Sequence, residues 1–258
     1  MLLPASILDL GGWMEAFILV FLRISALFLA APFFGANSIN VRIRILLAGL
    51  TTILILPSIP ALGEFKIMSG VGLLAIVQQL FLGLAMGFII QLVFTGLIVG
   101  GQVMAMTMGL GFATTFDPQN GVSVPVISQF YTIFGTLIFL ALDLHLHLLS
   151  YMAGSFELLP ITGANMNADG FMVVVGWASH MFSGAVLLAL PTLAAILLVN
   201  VAFGVMTRAA PQLNIFAVGF PVTIAVGFLF IMLTVDSLLP IVSRYFEHAF
   251  EAMNHLLP

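Results

Sequence analysis

The chain has 258 residues, of which 62% are hydrophobic and only 6% charged, a balance that a soluble domain cannot reach while still covering itself with polar surface. It reads as an integral membrane protein. The net charge of −4 rests on few groups and includes no basic run, which points away from nucleic acid, and the absence of Cys excludes disulfides and thiolate metal sites.

The opening, MLLPASILDLGGWMEAF, carries Asp9 and Glu15 and lacks the basic start of a cleavable signal, so the first apolar run is expected to stay in the mature chain. That run, Trp13 to Ala31, is long enough to cross a hydrocarbon core, which takes about 20 residues. Arg23 lies inside it. A mid-span charge costs about 2.5 to 3.5 kcal/mol and so faces protein or water. Either helix-end carbonyls of a neighbour satisfy it, or it takes part in transport. Arg42 and Arg44 introduce the second run, Ile43 to Leu56, which Pro57 and Pro60 close, and Gly63 to Lys66 forms a short polar connection.

The third run, Ile67 to Val99, is longer than one perpendicular span requires, so it tilts, bends or projects beyond the bilayer. It carries two small-residue pairs, Gly83 with Gly87 and Gly96 with Gly100, which let helix backbones approach closely. At 3.6 residues per turn the two pairs lie about 220° apart. The spacing predicts a helix held between two neighbours.

The next stretch, Gly100 to Pro125, suits neither lipid nor water. Met104, Met106 and Met108 alternate with small or polar neighbours, then Gly109, Leu110, Gly111 and Phe112 lead to Phe116 and an Asp117–Pro118 turn. Methionine fills irregular gaps and re-packs at little cost, and glycine adds backbone freedom. The segment is expected to be a deformable hydrophobic plug, or else an apolar loop tucked between helices.

The fourth run, Val126 to Met152, has Asp143, His145 and His147 near its end. Asp143 and His147, four apart, share a helical face, whereas His145 points elsewhere. Two His two residues apart cannot converge on one ion from a helix, so these groups read as interfacial and no metal is expected. The connection Ser155 to Gly170 contains Glu157, Pro160 and Asp169. The fifth run, Phe171 to Met206, contains His180 and Pro191, and a kink is expected at the proline. Arg208 then closes the helix. The last run, Leu213 to Val242, contains Asp236 and is expected to break at Pro221 and Pro240, with an amphipathic tail from Arg244 to Leu257. The sum is an all-α membrane protein of about six long, kinked hydrophobic helices arranged as hairpins, two of them over-long.

Two stretches carry a resemblance beyond hydropathy. Gln102 to Pro118, QVMAMTMGLGFATTFDP, and Arg208 to Pro221, RAAPQLNIFAVGFP, resemble the signatures of the FliR family, membrane components of the bacterial flagellar type III export gate. Arg23, Pro32, Phe33 and the Val41-Arg42-Ile43-Arg44 run fit the same pattern, and the similarity covers practically the whole chain. Two departures stand out: Asn40 replaces a proline found in many members, and the second plug aromatic, elsewhere at the position of Thr115, is here Phe116.

The resemblance implies a single export-gate domain over residues 1–258. The part through about residue 125 would be FliP-like and hold the gate loop, and the remainder FliQ-like. It implies assembly with FliP-like and FliQ-like membrane subunits, and with FlhB-like and FlhA-like export components, into a helical channel. The setting would be the bacterial inner membrane at the flagellar basal body, and the cargo unfolded flagellar proteins. Met104, Met106, Met108, Leu110, Phe112 and Phe116 would form the seal, with Gly109 and Gly111 as hinges. Arg23, Arg42, Arg44, Gly83, Gly87, Arg208, Pro211, Gln212, Asn214, Phe220 and Pro221 would serve structure and assembly.

Burying a Met or Phe side chain is worth about 1.5 to 3 kcal/mol, so two rings and three thioethers would hold a closed state by on the order of 10 kcal/mol at most. A rival reading is a proton-coupled carrier using Arg23, Asp143, His147, His180 and Asp236 as a relay. No P-loop lysine motif, HExxH or nucleophile elbow occurs, so neither an enzyme nor a cofactor is expected.

Overall fold

The computed structural model describes residues 10–32, 34–35, 39–59, 66–161, 168–209 and 215–256. Among them are eight α-helices: α1 (Leu10–Ala30), α2 (Val41–Ile55), α3 (Gly70–Thr107), α4 (Val126–Ala141), α5 (Leu144–Leu158), α6 (Ala168–Ala209), α7 (Ile215–Thr234) and α8 (Leu238–Leu256). Between α3 and α4 lies a two-stranded hairpin, β1 (Thr114–Asp117) and β2 (Val122–Pro125). Five stretches are long and apolar enough to cross a membrane, and α4 with α5, bent by 64° at their junction, passes the same test as a pair, either as a broken span or as a re-entrant loop. The expected membrane-helical class is therefore the observed one.

Three of the spans are over-long, not two: Gly70–Thr107, Gly170–Ala209 and Val218–Leu256 contain 38, 40 and 39 residues. At 1.5 Å per residue each is roughly 57 to 60 Å long, about twice the hydrocarbon thickness. The third arises because the last run and the tail are continuous. Only a 3-10 turn at Val235–Ser237 separates α7 from α8. Pro221 lies inside α7, and Pro240 falls in the first turn of α8, where its missing N–H has no helical partner to lose. Neither proline breaks the chain as expected. Pro191, the site of the expected kink, lies inside α6.

The fourth run is two helices. Asp143, at φ +54°, stands at the N-cap of α5 in the left-handed region, and its carbonyl accepts the N–H groups of Leu146 and His147 at 2.9 and 3.1 Å. It is therefore a break residue, and the shared helical face expected for Asp143 and His147 is not formed. The connection expected from Ser155 begins later, because α5 runs to Leu158. Asn40, where the resemblance leads to an expected proline, caps α2 by accepting the Arg42 N–H at 3.0 Å, a role suited to its side-chain oxygen.

Contacts divide the chain into two compact units. The first comprises the described residues up to Gln91, Asp143–Trp177 and those from Ala249 onward; the second comprises Leu92–Leu142 and Ala178–His248. In the first, α1 lies on α3 at Gly83 and Gly87. A Cβ at Gly83 would run into the Arg23 carbonyl and lie 2.8 Å from Ala26 Cβ, and one at Gly87 would lie 2.6 Å from Ala30 Cβ and 2.8 Å from the Leu27 carbonyl. In the second, Gly96 and Gly100 make way for Tyr245 of α8 and for Met181, Ala185 and Leu188 of α6. The two pairs thus serve different neighbours, as their angular separation predicts.

The close approach of α1 and α3 brings Arg23 into a dry site. Arg23 is wholly buried. Its Nε donates to Gln79 Oε1 at 2.6 Å, Nη1 to the Ser155 hydroxyl at 2.9 Å and Nη2 to the Leu159 carbonyl at 3.0 Å. The guanidinium carbon sits 4.0 Å from the Phe156 ring centroid, a favourable cation–π distance. The Leu159 carbonyl is the C-cap of α5, so the negative end of a helix dipole meets the cation. Trp177 adds a second tie inside this unit, donating from Nε1 to the Ile89 carbonyl at 3.2 Å.

Arg23→Ala strips the donor from Gln79 and the α5 end and should cost about 3 kcal/mol, read as a thermal melt of the detergent-solubilised protein several degrees lower; an unchanged melt would contradict this role. Gly83→Leu should prevent α1 from packing and make the chain protease-sensitive. Gly154→Ala, where an added Cβ meets nothing within 4 Å, should behave as wild type in the same assay.

Candidate functional site at the end of α3

The stretch from Gly100 to Pro125 is ordered structure, not a slack loop. Its first eight residues finish α3, and its last twelve form the hairpin with its turn. The helix ends because Gly109 adopts φ +81°. Gly109 N–H donates to the Met106 carbonyl at 3.1 Å and Leu110 N–H to the Ala105 carbonyl at 2.7 Å. This pair of bonds is a Schellman cap, which favours glycine at the left-handed position. In this state Gly109 is a cap held in place.

That cap is seated on α7. A Cβ at Gly109 would lie 2.6 Å from Phe220 Cε2, so glycine is required for its conformation and for its neighbour. Met108 fills the notch at Gly227, where a Cβ would come within 2.6 Å of its Cγ, Sδ and Cε. Thr223 donates from Oγ1 to the Phe220 carbonyl at 3.0 Å and reaches the Met108 carbonyl at 3.5 Å. Gly219, Thr223 and Gly227 are four apart and so form one small-residue row along α7. This row was accessible to the same small-residue search that finds Gly83 and Gly87, and the expected site residues omit it.

Beyond the cap the chain is pinned again. Ala113 N–H donates to the Leu110 carbonyl at 3.0 Å, and the Ala113 carbonyl accepts the Val126 N–H at 3.0 Å. The hairpin pairs Thr115 with Val124 and Phe116 with Ser123. Its turn is tied by buried Asp117, which accepts from the Gln119 N–H at 2.9 Å and from Asn120 Nδ2 at 2.8 Å. Gly121, at φ +70°, completes the reversal.

These constraints sort the expected seal residues into two groups. Met104 and Met108 are 0% exposed and belong to the support, with Leu110 half-buried. Met106 is 60% exposed, Phe116 is 64% exposed and Phe112 is fully exposed at the apex of the turn. Gly111 lies beside Met106, with an added Cβ 3.6 Å from its Cγ. Beside the α3 cap the second unit holds a cleft of about 390 Å³, walled by Met106 and Gly109, by Phe203 and Gly204 of α6, and by Phe220 and Thr223 of α7.

Of the residues assigned to structure and assembly, Phe220 therefore touches the cap itself, and Pro221 follows it within α7. Arg208 is exposed in the last turn of α6. Arg42 and Arg44 stand in the first turn of α2, the former exposed and the latter half-buried. Pro211, Gln212 and Asn214 lie outside the described residues. The groups of the rival relay do not come together: Arg23 is buried and held by uncharged partners, whereas Asp143, His147, His180 and Asp236 are exposed. Among the described residues no three acidic or histidine side chains gather closely enough to hold a metal ion.

Residues 14–249 match the family model of bacterial export proteins, family 1. The chain is 36% identical over 249 residues to the flagellar biosynthetic protein FliR of Pectobacterium carotovorum subsp. carotovorum, a match covering 96% of this chain and 94% of that one. It is 34% identical to the protein of the same name from Escherichia coli K12, over 95% of this chain and 92% of that one. With that of Bacillus subtilis 168 it shares 31% identity over 98% and 97%. A match that runs nearly end to end, and that takes in both stretches meeting at the α3 cap, places the chain in bacterial export protein family 1, the FliR family.

Proposed function

We propose that the chain is a non-enzymatic core subunit of the flagellar type III export gate, forming with FliP-like and FliQ-like partners the channel through which unfolded flagellar proteins leave the cell. Membership of the FliR family makes it a component of the flagellar export apparatus. The finer reading rests on one observation: Phe112 is fully exposed on a turn that is braced on both sides. A large apolar side chain held out rigidly, with exposed Met106 and Phe116 nearby in sequence, suits a neck that must stay dry. Water leaves a narrow apolar constriction, and ions do not enter without it.

Three of the expected seal side chains remain largely exposed. At about 1.5 to 3 kcal/mol each, Met106, Phe112 and Phe116 would favour the closed state by roughly 4.5 to 9 kcal/mol at most, less than a count including Met104 and Met108 suggests. Idle opening would still be rare. Work to open the neck would come from substrate or from FlhA-like and FlhB-like components, and the setting would be the inner membrane at the basal body. The over-long helices suit an assembly that continues past the bilayer plane, and the exposed apolar face of α2 (Ile43, Leu46, Leu50, Leu54) suits contact with lipid or a partner helix.

Deleting Met106 to Phe116 in the assembled complex should raise ion conductance in planar bilayers several-fold. Met106→Ala with Phe112→Ala, which trims only exposed groups, should raise it without loss of assembly; unchanged conductance in that double variant sinks the gate reading. Arg208→Ala should leave the chain folded but reduce co-purification with the FliP-like and FliQ-like subunits. Full recovery of the partners would remove the assembly role assigned to Arg208.

A further inference from the structure

The cleft beside the α3 cap lacks a role in the closed gate, and its position relative to Phe112 suggests one. Its lining sets two aromatic rings, Phe203 and Phe220, and the open backbone at Gly204 beside polar side chains that include Asn200, Thr207 and Thr223. An added Cβ at Gly204 would meet nothing within 4 Å, so the space over it is open. Met106 forms one edge of the cleft, and Gly111 packs against Met106. Phe112 follows Gly111 directly, so its Cα is about 3.8 Å from that of Gly111. Gly111, which touches the Met106 edge of this space of about 390 Å³, is thus followed directly by a fully exposed ring.

We propose that this cleft is the stowage site of the Phe112 ring, so that the seal opens by swinging Phe112 aside into its own subunit. The backbone limits the movement to the right place. Leu110 is fixed by the cap, Ala113 by its carbonyl bond to Val126, and the Phe112 carbonyl accepts the Thr114 N–H at 3.1 Å, so the swing is made by the backbone torsions of Gly111 and the side-chain torsions of Phe112. Gly111 carries no side chain to obstruct the turn. In the cleft the ring would lie against Phe220 and Phe203, where offset or edge contacts between aromatic rings are favourable. Burial there replaces the apolar contacts given up at the neck, which lowers the work of opening. The gate reading underlies the functional half of this inference, whereas the docking itself is independent of it.

The test keeps an aromatic ring at the position. The photoreactive residue p-benzoylphenylalanine is incorporated in place of Phe112 in the full complex with its FliP-like and FliQ-like subunits, irradiated, and the cross-linked peptides are mapped by mass spectrometry. Cross-links to Phe203, Gly204 or Phe220 are expected, enriched when a substrate with a fused folded domain is stalled in the channel. Gly204→Phe, which fills the cleft, should abolish them and reduce export several-fold without raising ion leak in the idle complex. Val205→Phe, on another side of the same helix, should do neither. Cross-links only to partner subunits or lipid, or normal export by Gly204→Phe, overturn the proposal. If the cleft cross-links form while Met106→Ala with Phe112→Ala does not leak, docking stands and the gate reading is the part that falls.

Discussion

The seating of the α3 terminus on α7 is the contact from which the rest of the gate segment follows. Met108 enters a notch that exists only because residue 227 is glycine, and the cap one residue later fits against Phe220 only because residue 109 is glycine. Both contacts are short-range packing, which is lost within about an ångström of misfit. Such packing fixes where α3 stops and in which direction the chain leaves it. The exposure of Phe112 is a consequence: the chain must turn at once, and the ring at the apex stands clear of its neighbours. A soft thioether in the notch is well suited to this, since methionine adapts to an irregular pocket without demanding one rotamer.

The first unit solves a different problem by similar means. A guanidinium in the middle of an apolar helix is tolerable only if its donors are met by protein. The glycines at 83 and 87 bring α1 close enough to α3 for Gln79 to reach it, and the end of α5 supplies a hydroxyl and a carbonyl. Groups 56, 132 and 136 positions away in sequence converge on one side chain. Arg23 therefore ties the beginning of the chain to segments made much later, and α1 gains its polar partners only once those are in place.

Much of this is legible in the amino-acid sequence. The angular separation of the two glycine pairs foretold two different neighbours for α3, and the burial of Arg23 followed from the cost of exposing it to lipid. Its partners did not, because no periodicity links residues so far apart. The hairpin had an available signal in Asn120–Gly121 between short apolar runs, a common strand reversal, which the methionine and glycine content overshadowed. Alternation of Met104, Met106 and Met108 suggested one greasy set. On the end of a helix, positions two apart face different ways, so two of these methionines turn inward, against Gly227 in the case of Met108, and one does not. The break at Asp143 was hidden because hydropathy registers the polarity of an aspartate and not its left-handed backbone.

The most direct measurement is the distance of the Phe112 ring from the channel axis, read from an image of the intact, idle complex at side-chain resolution. The account requires that ring at the narrowest point of the lumen, with Met106 and Phe116 at the same constriction. A ring on the outer surface of the assembly, in contact with lipid and remote from the axis, would contradict it.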